Sequence, residues 1–211
     1  MKKTNKQLIV FIKHPLAGKC KTRLIPFLSA EQASEFYKSL VKICFDNISL
    51  LSEIDIAVYA YPDSTHPFIQ NINQAHNATL HNQKGDDLGE RMQHAISSSL
   101  ETYSQCVLIG TDCPLINATY INDAFKSLRQ HDMVFGPAED GGYVLVGATK
   151  INKNIFSKIN WSTSQVLQQN LNNTKAASFN THLLKTLWDI DTPEDYIKYQ
   201  SLINQTAITQ E

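Results

Sequence analysis

An α/β layered fold with a mostly parallel sheet is the architecture this sequence predicts. Two observations carry that prediction. Short apolar runs of strand character alternate with segments of helical period along the whole chain. The residues with chemical character fall directly after the strand-like runs, which is where open α/β sheets bind ligands. At 211 residues the chain is long enough for one domain with a single substantial core.

The elements follow in order. LIVFI (8–12) reads as a buried strand. Residues 30–47 place Ala33, Phe36, Tyr37, Leu40, Val41 and Cys44 on one helical stripe, and Ser29 with Gln32 three positions on forms a capping box. IDIAVYA (54–60) is a second strand and ATLHNQ (78–83) a weaker third. A helix from about Leu88 to Tyr103 has Leu88, Met92, Ala95, Ile96, Leu100 and Tyr103 as its apolar face. CVLIG (106–110) is a strand buried on both faces, and a helix carrying Tyr120, Ile121, Ala124, Phe125 and Leu128 comes next. DMVFGPA and YVLVGAT are strands, followed by a short helix after WSTS and a strand near LLKTLWDI. In the last helix Thr192 can cap and Pro193 suits the first helical position.

Composition narrows the class. Hydrophobic residues make up 42% and charged residues 18%, with a net charge of −1, which is ordinary for a globular protein. That balance offers no electrostatic footprint for nucleic acid or for an anionic membrane surface, and no run approaches the length that spans a bilayer. The four cysteines, Cys20, Cys44, Cys106 and Cys113, are widely spaced. They suggest neither a zinc site nor a disulfide framework, and a cytoplasmic location is expected.

Several short stretches carry chemistry. Residues 13–24 (KHPLAGKCKTRL) gather Lys13, Lys19, Lys21 and Arg23 around Gly18. Such a loop can cradle phosphates through backbone N–H groups and side-chain charge, or it is a solvated basic loop; the P-loop spacing is absent. In QKGDDLGERM (83–92), Gly85 and Gly89 permit backbone approach to a ligand, while Asp86 and Glu90 read better as caps of the following helix. In GTDCP (110–114), Asp112 stands at the end of a buried strand. There it can hold a divalent cation bound to phosphate oxygens, or cap the next turn. Cys113 beside it reads as a packing residue, since no histidine is positioned to activate it. GPAEDGGYVLVG (136–147) holds four of the eight glycines together with Glu139 and Asp140. A plain hairpin needs one or two glycines, so the stretch reads either as a tight turn with solvated acids or as a site where backbone meets a ligand. WDIDTPED (188–195) places Asp189 and Asp191 at alternating positions of a strand end, so that one could supply a second metal carboxylate. Asp195 reads as a first-turn helix acid.

Together KHPLAGKCKTRL, GDDLGERM, GTDCP, GPAEDGGYVLVG, NWST and DIDTPEDY occur in order from residue 13 to 196. In this the chain resembles the DUF2064 family, small proteins of glycosyltransferase-A (GT-A) fold, some labelled arsenosugar-biosynthesis-type glycosyltransferases. More distantly it is similar to phospholactate and molybdenum-cofactor guanylyltransferases. The resemblance implies a three-layer α/β/α fold with a mostly parallel mixed sheet in one domain over 1–211. Its nucleotide-binding half would be about 1–115 and its acceptor half about 116–211. It implies a nucleotide-binding set of Lys13, Gly18, Lys21 and Arg23 with Gly85, Leu88 and Gly89. Mg²⁺ (or Mn²⁺) would sit on Asp112 and Asp191, and the acceptor on Gly141, Gly142 and Tyr143. Asp140 would orient or deprotonate that acceptor, and Lys21 and Arg23 would stabilise charge on the leaving oxygens. The partners are then a nucleotide or nucleotide-sugar and a small-molecule acceptor. Where the related guanylyltransferases have a Gly-rich first loop, this chain has a lysine-rich one with a single glycine. That charge suits a triphosphate and favours nucleotidyl transfer from an NTP to a small phosphorylated acceptor. Glycosyl transfer from a nucleotide-sugar is the alternative, and a non-catalytic nucleotide-binding protein the third reading.

Overall fold

The computed structural model describes residues 6–25 and 27–208, with side chains described through residue 205 in the last helix. Its strands are β1 (Lys6–Lys13), β2 (Asp55–Tyr61), β3 (Thr79–Asn82), β4 (Gln105–Ile109), β5 (Met133–Pro137), β6 (Tyr143–Ala148) and β7 (Thr181–Leu183). Its helices are α1 (Ala30–Ile48), α2 (Pro67–Ala75), α3 (Leu88–Thr102), α4 (Ala118–Ser127), α5 (Val166–Ala176) and α6 (Pro193–Ile208). The strands form one sheet in the order β3-β2-β1-β4-β6-β5-β7. Pairing is parallel except where β6 runs against β4 and β5.

The pleat sorts β1 between two cores. Leu8, Val10 and Ile12 face a cluster built with α1, α2 and α4, through residues such as Val41, Phe45, Ile69 and Phe125. Ile9 faces the opposite cluster, where Met92, Ala95 and Ile96 of α3 meet Leu108, Phe135 and Val146. This gives the three α/β/α layers. The sixth helix lies outside them: Tyr199 packs with Leu40 of α1 and with Ile190.

Local signals work as the sequence predicts at the starts of α1 and α6. Ser29 accepts from the Gln32 backbone and Gln32 answers the Ser29 N–H, a reciprocal capping box. Thr192 Oγ1 accepts from the Asp195 N–H at 3.3 Å, and Asp195 accepts in turn from the Thr192 N–H at 2.9 Å. At α3 the cap is Asp87 rather than the expected Asp86: Asp87 accepts from Glu90 N at 2.8 Å, while the Glu90 carboxylate takes the Asp86 N–H at 2.9 Å.

Three expectations are corrected. The helix α2 is absent from the sequence reading. Its run PFIQNINQA is rich in residues of middling helix propensity, and it is fixed instead by Pro67 at its first position, the His66 cap and burial of Ile69 and Ile72. The strand expected near LLKTLWDI ends at Leu183, and Leu187 makes only an isolated bridge with Ala138. Asp189 and Asp191 therefore lie on an irregular segment rather than a strand end. Leu88 is 43% exposed rather than part of the buried face of α3.

Candidate active site

The carboxyl ends of β1, β4 and β5 and the start of the reversed β6 converge on one edge of the sheet, as the topology requires. Two adjoining chambers open there. The larger, about 390 Å³, is lined by Lys13, Tyr61, Gln83, Leu88, Arg91, Asp112, Asp140, Gly142, Tyr143, Trp161, Thr163 and Asp189, among others. The smaller, about 220 Å³, is lined by Lys13, Lys19, Cys20, Lys21, Thr22, Arg23, Tyr37, Asp112 and Asp191. They share Lys13, Tyr37 and Asp112.

At the centre is Lys21. Its ammonium lies 2.6 Å from Asp112 Oδ1 and 2.9 Å from Asp191 Oδ1, and it also donates to the Ile190 carbonyl. Burial opposes the charge on Lys21, but Asp112 and Asp191 outweigh it and hold the pKa above the ordinary lysine value. Arg23 reaches the other oxygen of Asp191 at 3.3 Å. Local structure places these groups. The chain turns through Gly18 (φ +72°) and through Lys21 itself, a non-glycine residue in the left-handed region with φ +47°. The Ile190 N–H donates to the Asp112 carbonyl at 3.0 Å, which ties the last segment to the end of β4. Asp195 accepts the Asp191 N–H at 3.2 Å, so the helix cap also orients Asp191.

The opening of β6 supplies the far wall. Asp140 Oδ1 accepts the Gly142 N–H at 2.8 Å, closing the turn, and Asp140, Gly142 and Tyr143 all line the larger chamber. Tyr143 is held by Phe135 edge-on at 5.1 Å and by Met92 Sδ. Glu139 faces away and pairs with Lys198 at 3.1 Å. Asp189 joins the carboxylates. Burial pushes its carboxyl up to about 7, with the charges of Asp191, Asp140 and Asp112 adding to the effect.

Several predicted ligand-facing glycines have another purpose. A Cβ on Gly89 would stand 2.7 Å from the Phe156 carbonyl and 2.8 Å from the Trp161 ring. The bare face of Gly89 thus lets α3 pack on the 156–161 segment, and it does not front the chambers. Gly141 (φ +88°) lies against the Ser164 backbone in the same way. Gly85 (φ +135°) is a turn glycine whose Cβ would meet Glu90 at 2.6 Å. Gly18 sits in open space. Of the predicted set, Lys13, Lys21, Arg23, Leu88, Asp112, Asp140, Gly142, Tyr143 and Asp191 line the two chambers. Gly18, Gly85, Gly89 and Gly141 are not among their lining residues.

The structure adds residues that the sequence reading passed over. Arg91 stacks on Tyr61 with its guanidinium 4.0 Å from the ring centroid, braced by the Gly85 and Asp86 carbonyls at 3.0 and 3.1 Å. Its place beside Leu88 and Met92 in GDDLGERM was the available signal. Tyr37, read as part of the core stripe, accepts from the Lys13 N–H at 2.9 Å and from Thr111 Oγ1 at 3.2 Å, joining the ends of β1 and β4. The cysteines are all free and buried. Burial raises the Cys113 thiol to about 12, and it donates to the Trp188 carbonyl at 3.1 Å, so the packing role stands.

The resemblance implies a divalent ion on Asp112 and Asp191. No group of three or more His, Cys, Asp or Glu that could hold a metal occurs among the described residues. Two carboxylates held about a common cation do occur, and that is the protein share Mg²⁺ takes when waters and phosphates complete its shell. The Lys21 ammonium stands in the place such a cation would take. Asp112 and Asp191 are thus of the chemical type that would hold such an ion.

Comparison with known proteins agrees with this architecture. The chain is similar to the 2-phospho-L-lactate guanylyltransferase of Methanobrevibacter smithii, at 25% identity over 58% of this chain and 53% of that protein. It spans about half the length of the curated relatives it matches. A crystal structure from Desulfovibrio desulfuricans G20, provisionally described as a nucleotide-diphospho-sugar transferase, superposes with a TM-score of 0.81 at 29% identity, covering 89% of this chain and 82% of that one. Glucosyl-3-phosphoglycerate synthase of Mycobacterium tuberculosis, solved with Mn²⁺ and UDP, shares the fold with a TM-score of 0.56 at 9% identity, over 92% of this chain and 75% of that one. These relatives and neighbours are transferases, and one of them binds a divalent metal. No described helix is long and apolar enough to cross a membrane. The family model for an uncharacterized protein conserved in bacteria (DUF2064) matches residues 45–163, and the chain belongs to that family.

Proposed function

We propose that the protein is a nucleotide-utilising transferase that moves a nucleotidyl group from an NTP to a small phosphorylated acceptor. The observation that carries this reading is the meeting of the first-loop cations with Asp112 and Asp191 at 2.6–3.3 Å. A non-catalytic nucleotide-binder would not need Asp140 to front the same cleft. The similarity to guanylyltransferases supports nucleotidyl transfer in particular.

In this reading the acceptor phosphate oxygen attacks the α-phosphorus, the bond to the β-phosphate oxygen breaks, and pyrophosphate leaves with that electron pair. Lys13 and Arg23 bind and orient the phosphates, and their positive charge favours the leaving pyrophosphate. Arg91 on Tyr61, with Gln83, offers a planar wall and polar atoms for a nucleoside. Asp140 orients the acceptor. Asp112 and Asp191 would hold Mg²⁺ or Mn²⁺, which supplies charge neutralisation at the phosphates when bound.

A second reading, glycosyl transfer from a nucleotide-sugar, is favoured by the 29% identity to the Desulfovibrio protein. Thermal unfolding with NTPs, NDPs and nucleotide-sugars, each with and without Mg²⁺, separates the two, since a ligand of the native state raises the melting temperature. A magnesium-dependent rise with one NTP, followed by pyrophosphate release on adding phosphorylated acceptors, is expected. A rise with a nucleotide-sugar and its diphosphate but with no triphosphate would replace this reading by the second.

A further inference from the structure

Lys21 carries a feature that a simple phosphate-binding lysine would lack. An ammonium has three protons to donate, and all three have an acceptor: Asp112 Oδ1, Asp191 Oδ1 and the Ile190 carbonyl. The side chain is only 4% exposed, whereas those of Asp112 and Asp191 are 44% and 37% exposed and front the chambers. Lys21 in this arrangement has no proton left for a phosphate, and it fills the position between the carboxylates from the protein side. A divalent ion cannot use the same two oxygens while a saturated ammonium sits on them, because the cations would repel at contact distance. The loop that leads into Lys21 is lightly packed through residue 19. Residues 16–19 are exposed, Gly18 has only open space around it, and Lys21 holds a left-handed backbone that disfavours side-chain-bearing residues.

We propose that Lys21 is the resident cation of the Asp112–Asp191 pair, and that a divalent ion enters only together with nucleotide phosphates, which accept the displaced ammonium. The inference rests on the nucleotide-transferase reading for the second half of the exchange, but not for the first. Lys21 then couples the two ligands: the metal is bound weakly alone and tightly with nucleotide, and by reciprocity the nucleotide gains from the metal by the same factor.

The test is the binding of Mn²⁺ without nucleotide, followed by loss of its free electron-paramagnetic signal, in the native protein, Lys21→Met and Lys21→Gln. Because the two carboxylates are partly exposed, water can screen their repulsion once the ammonium is gone. Lys21→Gln also keeps a donor for the Ile190 carbonyl, so the fold does not depend on one variant. At least tenfold tighter Mn²⁺ binding is expected in both variants, with a larger Mn²⁺-induced rise in melting temperature than in the native protein. Adding Asp112→Asn to either should abolish the gain. Unchanged or weaker Mn²⁺ binding in the variants would overturn the proposal. The transferase reading fails separately, if the native protein binds no nucleotide with or without Mn²⁺ while the variants still gain the metal.

Discussion

Asp112 gives one oxygen to a buried ammonium and turns the rest of its carboxylate toward both chambers. Replacing it with Asn should therefore have two effects. Metal-dependent NTP binding should weaken at least tenfold by calorimetry. The apo protein should also lose on the order of 1.5–3 kcal/mol in urea unfolding, the usual worth of a hydrogen bond to a charged group. Asp189 predicts a pH effect. Burial holds its folded pKa at about 7, above the ordinary aspartate value, so between about pH 4 and 7 the native state keeps a proton that the unfolded chain has released. The stability it contributes is complete below about pH 4 and is lost as pH rises through 7. Asp189→Asn keeps a neutral group at all pH values. Urea unfolding at pH 5 and pH 8 should show the variant gaining on the native protein at the higher pH; an equal gap at both would mean that Asp189 ionises normally.

Among the elements, the turn between β5 and β6 positions Asp140 through a glycine pair with divided roles. Gly142 lines the cleft, while Gly141 has positive φ and the Ser164 backbone where a side chain would go. Gly141→Ala should cost roughly 2–4 kcal/mol from strain and overpacking together, and should lower nucleotide and acceptor binding by shifting Asp140. The start of α1 gives a contrast. Ser29→Ala breaks a capping box remote from the chambers, so it should cost about 1 kcal/mol in urea unfolding and leave nucleotide affinity as it is.

At the scale of the molecule, one seven-stranded sheet runs through both halves implied by the resemblance, with β1–β4 in the first and β5–β7 in the second. Such continuity predicts a single cooperative unfolding transition. Trp161 packs against α3 and Trp188 against the cluster around Leu40 of α1, so tryptophan fluorescence reports contacts between the halves while far-UV circular dichroism reports the whole. The two curves should coincide, and a separation between them would show the halves unfolding independently. The sequence by itself determined the strand–helix alternation apart from α2, the cap at Ser29 and the placement of Lys21, Asp112 and Asp140 after strands, because periodicity, capping and strand ends are local properties. It did not reveal that Gly89 and Gly141 meet their own chain, that Tyr37 and Arg91 belong to the site, or that Lys21 lies between Asp112 and Asp191. Those facts depend on contacts between residues as far apart as Lys21 and Asp191, 170 positions along the chain, and only the packed sheet brings such residues together.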